Sequence, residues 1–135
     1  GFATRTQTDI RIIACHYRHY SKLYAMGERF EMTEAERYAM FEPAQQKNLS
    51  LTIRDMDAPK YLVREYTVNR NCGSLFDMWV KMGSIDPKSK YEQNLLEAKS
   101  TPDVHRYYAE PSDCTLTLNL QMEILEVRLL IISAE

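Results

Sequence analysis

Between Asn48 and Arg54 the chain alternates strictly, with Leu49, Leu51 and Ile53 on one face and Asn48, Ser50, Thr52 and Arg54 on the other. A period of two is the mark of a half-buried β-strand. Residues 9–20 begin the same way: Ile10 and Ile12 alternate with Asp9 and Arg11, and apolar and aromatic positions continue through Ile13 and Tyr17. Tyr61–Asn69 reads as another strand. The segment Asp55-Met56-Asp57-Ala58-Pro59 between the two reads as a turn, so 48–54 and 61–69 are expected to pair as an antiparallel hairpin. Val104–Ala109 is weakly extended. Leu116, Leu118, Leu120 and Met122 alternate cleanly, and after a break at Glu123-Ile124 so do Val127, Leu129 and Ile131. Leu130 and Ile132 make that last strand apolar on its other face as well, which predicts cover on both sides.

Two stretches depart from this rhythm. Residues 21–36 form a polar excursion, read as a long loop with a helical turn at Thr33–Arg37, where Thr33 and Glu36 could make a capping box; Tyr38–Phe41 returns as a short strand. After Gly73, Ser74 is placed to cap a short helix with Asp77 at its third position. Leu75, Phe76, Trp79, Val80 and Met82 give that helix an apolar face, and Gly83 ends it. Phe76, Trp79 and Met82 are expected to pin the insertion onto the sheet, with Gly73 and Gly83 serving turn and cap geometry. Ser89-x-x-Glu92 opens a second helix that runs to about Lys99 and stops at Thr101-Pro102. No βαβ rhythm appears, so a parallel sheet is not expected. The order predicts a mostly β, antiparallel, immunoglobulin-like β-sandwich with a short helical insertion around residues 74–99, as a single domain over 1–135.

Bulk properties narrow the function. With 135 residues, 44% hydrophobic and 27% charged, the chain can bury a core without a disulfide or a metal. A net charge of −2 gives no footprint for nucleic acid. The longest apolar run, Leu129–Ile132, is far short of the roughly 18 residues of a membrane span. The start has no signal-peptide pattern, and Gly1 in place of Met reads as a piece of a longer protein. Cys15, Cys72 and Cys114 are odd in number and widely spaced, which predicts free thiols in a reducing, cytoplasmic setting.

The chemistry-bearing residues do not assemble into a catalytic pattern. Cys15, His16 and His19 would be a metal set, but residues 16 and 19 of a strand point to opposite faces. No serine or cysteine lies in a nucleophile elbow, and the acids fall in the 28–36 loop, in turns or on solvated helix faces rather than as a facing pair. No catalytic residue, metal or cofactor is therefore assigned. Tyr17, Tyr20 and Tyr24, with Tyr38 and Trp79, could form a sugar-stacking platform, against which stands ordinary core packing with bonded polar tips. Asn48-Leu49-Ser50 matches a glycosylation sequon that nothing else supports.

Several segments together resemble one family. Cys15-His16-Tyr17-Arg18-His19-Tyr20-Ser21-Lys22-Leu23-Tyr24 looks like the start of the C-terminal β-sandwich of glycoside hydrolase family 39, the β-xylosidase family. The stretch Asn69 to Gly83 is the sharper match, resembling the family's N-R-x-x-G-S/N-x-x-x-x-W-x-x-M-G segment. The ending Leu116–Ile132, with Glu126-Val127-Arg128-Leu129, resembles its closing pair of strands. Cys72 departs from the pattern, which often has histidine there. The resemblance implies a parent with a (β/α)₈ barrel carrying two glutamates in a retaining mechanism. Neither glutamate maps onto this chain, which would be a non-catalytic accessory domain with the barrel of the same parent chain as its partner. Oligomer contacts and xylo-oligosaccharide binding are the further partners it allows. Similar modules also occur in proteins that begin with an AraC-type helix-turn-helix. The alternatives are accordingly a carbohydrate-binding module or a sensor or interaction domain of an AraC-type regulator.

Overall fold

A computed structural model describes residues 1–19, 22, 41 and 46–135. Among the described residues seven strands and two helices follow in chain order: β1 (Phe2–Arg5), β2 (Asp9–Cys15), β3 (Lys47–Arg54), β4 (Tyr61–Val68), α1 (Phe76–Lys81), α2 (Lys90–Lys99), β5 (Asp103–Ala109), β6 (Thr115–Met122) and β7 (Val127–Ala134). They form an antiparallel β-sandwich. One sheet has the order β1-β2-β7-β4-β5, and the other is the pair β3-β6. The expected loop over 21–36, the turn at Thr33–Arg37 and the strand at Tyr38–Phe41 lie, apart from Lys22 and Phe41, outside the described residues.

Alternation builds the core, with the inward side of β7 carried by Leu130 and Ile132 rather than by Val127, Leu129 and Ile131. Ile10, Ile12 and Ala14 of β2, Tyr61 and Val63 of β4, and Leu130 and Ile132 of β7 point inward from the large sheet. Leu116, Leu118, Leu120 and Met122 of β6 meet them, with Leu49, Leu51 and Ile53 of β3 packed alongside. Burying an apolar side chain of this size contributes about 1.5–3 kcal/mol, so these two facing columns carry most of the fold's driving force.

The expected hairpin of β3 and β4 does not form. β3 pairs with β6, from Lys47↔Met122 to Arg54↔Thr115, while β4 pairs with β5 and β7. The intervening link crosses the end of the sandwich from one sheet to the other. Met56, 1% exposed, plugs that end, and its N–H donates to the Cys114 carbonyl at 3.1 Å. Both strands have an inward apolar column, and each column finds more cover facing the other across the core than lying beside it. The tight connection is instead β1–β2, a strand pair whose first member the alternation did not reveal. There the Thr6 N–H donates to the Asp9 carbonyl at 2.8 Å. The Arg5 guanidinium of β1 reaches across to the carbonyls of Arg54, at 3.2 Å, and Asp55, tying β1 to the end of β3.

The helices sit between β4 and β5 as an excursion. Ser89 and Glu92 make the expected capping box at the start of α2, whose Leu96 is buried. At α1 the cap differs from expectation: the N-cap is Leu75, with no side-chain bond from Ser74. No residue of α1 is fully buried: Trp79, Val80 and Met82 are half-buried, while Leu75 and Phe76, 46% exposed, lie open. The helix is too short to bring a full apolar stripe down on a neighbour.

Candidate functional site

The residues of the motif-bearing segment 69–83 act largely on the backbone. The Asn69 carboxamide oxygen accepts from the N–H of Asn71 at 2.9 Å and of Cys72 at 3.1 Å, closing a turn that the Asn69 N–H locks onto the Cys72 carbonyl at 2.8 Å. Gly73 follows with φ +72°, where a Cβ would lie 2.8 Å from Cγ2 of Val68. Trp79 donates its indole N–H to the Ile85 carbonyl at 3.2 Å, and its ring lies 6.1 Å from that of Phe76 at a 37° tilt. Met82 is the C-cap of α1. Gly83, at φ +90°, donates to the Val80 carbonyl at 2.8 Å while the Ser84 N–H reaches the Trp79 carbonyl at 3.1 Å, a Schellman ending. The polar side chains of the segment are also engaged: Arg70 pairs with Asp77 at 3.3 Å beside a cavity of about 330 Å³ that Asn71, Lys81 and Glu123 help to line.

The sugar-platform residues are only partly described. Tyr17 is 65% exposed and stands edge-on to His19, ring centres 5.0 Å apart. Tyr20, Tyr24 and Tyr38 lie outside the described residues. β2 ends at Cys15, so His16 and His19 lie beyond the strand on which the sequence placed them; His16 is 2% exposed and His19 exposed. Among the described residues, no three His, Cys, Asp or Glu side chains gather where they could hold a metal ion.

Sequence reasoning missed a buried polar knot at the end of the sandwich where β7 begins. Glu126 is 1% exposed. Its carboxylate pairs with Arg128, whose other amino group pairs with Glu65 of β4 at 2.9 Å. Arg128 also donates to the Gln121 carbonyl of β6 at 3.1 Å. The second Glu126 oxygen accepts from the Asn69 side chain at 3.4 Å and the Glu123 N–H at 3.3 Å. Tyr107 donates its hydroxyl to Glu65 at 3.4 Å, and burial, followed by that carboxylate, pushes the phenol above its ordinary range. The main chain of His16 joins the knot, donating to the Glu126 carbonyl and accepting from Leu125, both at 2.9 Å. Among the described residues neither ring nitrogen of His16 has a partner, and the residue lines an apolar cavity of about 430 Å³ with Ala14, Leu49, Leu51 and Met122. The available signal was the alternation itself: Arg128 falls on the inward side of β7 with Leu130 and Ile132. One guanidinium held between two carboxylates ties β4, β6 and the start of β7 together.

No family model matches the chain. Among curated proteins it is similar to HTH-type transcriptional regulators of Staphylococcus aureus, including one from strain COL and one from strain N315. Each is 23% identical over 119 residues, which is 88% of this chain and 14% of the relative. Among solved structures it is similar to the GH39 enzyme of Xanthomonas axonopodis pv. citri, with a TM-score of 0.70 and 13% identity over 98% of this chain and 25% of that one. It is also similar to a monomeric β-xylosidase of Caulobacter crescentus, with a TM-score of 0.66 and 19% identity over 98% of this chain and 26% of the other. The shared property is the fold: this chain is built like one part, about a quarter, of those hydrolases. Among the described residues no helix is long and apolar enough to cross a membrane.

Proposed function

We propose that the chain is a non-catalytic accessory sandwich of a family 39, β-xylosidase-like protein, which packs against and stiffens a catalytic barrel of the same parent. The observation that carries this reading is the lopsided coverage: 98% of this chain matches each hydrolase structure but only 25% or 26% of theirs. The use of the 69–83 segment for turns and caps supports it, as does the occupation of Glu65 and Glu126 by Arg128. The test is to assay the purified 135-residue chain and its full-length parent side by side on aryl-β-xylosides. Turnover is expected from the parent alone, and turnover by the isolated chain would end the non-catalytic reading.

The regulator relatives favour a second reading of the parent, in which the sandwich serves as a sensor or interaction domain beside a helix-turn-helix. The coding sequence around Gly1 separates the two, since a barrel with paired glutamates and a DNA-binding helix pair are each plain to read. A carbohydrate-binding role keeps Tyr17 and Trp79 as its described aromatics. In that case titration with xylo-oligosaccharides gives heat and shifts the tyrosine signals, and a flat titration removes it.

A further inference from the structure

The outward face of the five-stranded sheet does not look like a face meant for water. An antiparallel sheet with one solvated side carries polar residues there. Here the register draws an apolar row straight across all five strands: Phe2 beside Ile13, Ile13 beside Leu129, Leu129 beside Tyr66, and Tyr66 beside Val104. Phe2 is 68% exposed, and Ile13 and Val104 are each 44% exposed.

One register step along, arginines replace the apolar row. Arg64 of β4 is the direct cross-strand partner of Arg106 of β5, and Arg11 lies in the same row across Ile131. Like charges placed directly opposite destabilise a sheet. Acids at the rim of this face are already engaged, Asp9 with Arg11 at 3.0 Å and Glu135 with the Tyr108 hydroxyl at 2.9 Å. Arg64 donates to the Ser133 hydroxyl at 2.9 Å, yet its Nε is buried without a partner. Neither Arg64 nor Arg106 has an ion pair among the described residues.

We propose that this outer face is where the rest of the parent polypeptide docks, laying an apolar surface along the row and a carboxylate between Arg64 and Arg106. The proposal rests on the accessory-domain reading and adds to it the surface and the chemistry of the partner. Charge argues against a second copy as the occupant, because a two-fold contact would bring two sets of arginines onto one interface. Area argues the same way. Five strands of about seven residues present roughly 20 by 24 Å, which suits the ~600–1,500 Å² total of an interdomain contact and falls short of an obligate dimer.

Cys15 makes the test direct. It sits on this face beside Val127, and it is exposed, as is Cys114 in the β5–β6 connection. The full-length parent is treated with a maleimide, and labelling of each cysteine is followed by peptide mass spectrometry. Each rate is divided by that of the same cysteine in urea. Cys15 is expected to label at least about tenfold slower than Cys114, because labelling then waits for the domains to part. The Arg64→Glu/Arg106→Glu variant is expected to bring Cys15 close to the Cys114 rate, while half-buried Cys72 stays slow and so reports an intact sandwich. Equal rates for Cys15 and Cys114 in the unmodified parent would overturn the proposal. So would protection of Cys15 that fades on dilution in step with a dimer–monomer change, which would make a second copy the occupant. The accessory reading fails separately, on turnover by the isolated chain.

Discussion

Gly73 is the residue on which the 69–83 segment depends most plainly. Its φ of +72° is a conformation that side-chain-bearing residues enter at a cost, and the space a Cβ needs is held by Val68, 2.8 Å away. Gly73→Ala is expected to destabilise the protein by about 1–3 kcal/mol, read from the urea midpoint. The backbone and packing contributions separate in the Val68→Ala background, which opens the space but leaves φ unchanged. A smaller loss in that background is expected, and a loss of equal size would assign the whole effect to φ. The need for a turn was legible at this position from the glycine between strand and helix. The clash with Val68 was not, because it depends on how the turn folds back over β4.

The elements divide by whether local chemistry or tertiary context decides them. Helix α2 was fully legible at its start, because Ser89 and Glu92 form a capping box whose partners lie three residues apart. The Glu92 carboxylate accepts from the N–H of Ser89 at 2.9 Å and of Lys88 at 2.8 Å. These bonds, the one from Ser89 foremost, hold its carboxyl below the ordinary 4.5. A carboxyl lowered in the folded state adds stability that is full above its unfolded value and is lost as pH falls through the folded one. Glu92→Gln should therefore lower the melting temperature at about pH 7 and converge on the parent protein at about pH 2, followed by circular dichroism. An equal deficit at both would show that the charge is not what matters. Strand pairing was decided elsewhere. Alternation placed β3, β4, β6 and β7 and gave the inward faces of β3 and β6, but on β7 the inward residues are Leu130 and Ile132 rather than the alternating Val127, Leu129 and Ile131, and alternation carries no partner information. A loose link around buried Met56 left β3 free to join β6. Strand β1 was missed because Phe2–Arg5 is too short to display a period. Phe76, Trp79 and Met82 were read as anchors from their helical spacing; Trp79 and Met82 are half-buried and Phe76 is exposed, a difference that spacing alone does not carry on a six-residue helix.

At the scale of the whole molecule, the polar knot around Arg128 joins the two sheets at one end, as Arg5 ties β1 to the end of β3. One guanidinium links β4 through Glu65, the turn before β7 through Glu126 and β6 through the Gln121 carbonyl. Its removal leaves two carboxylates facing each other, one of them on a residue 1% exposed, with no cation between them. Arg128→Met is therefore expected to cost about 3–5 kcal/mol, the scale for breaking one side of a buried pair. Glu126→Gln in that background removes the stranded charge and keeps a group that can accept from Asn69 and Glu123, so it should restore part of the loss. A double-mutant cycle on urea midpoints measures the coupling, and additive losses would show that Glu126 and Arg128 act independently. The same cycle bears on function. On the accessory-domain reading proposed above, a knot that only ties strands should, when broken, lower stability without changing kcat on an aryl-β-xyloside in a folded full-length parent. A fall in kcat at full folding would instead mean that this end of the sandwich reaches the catalytic site.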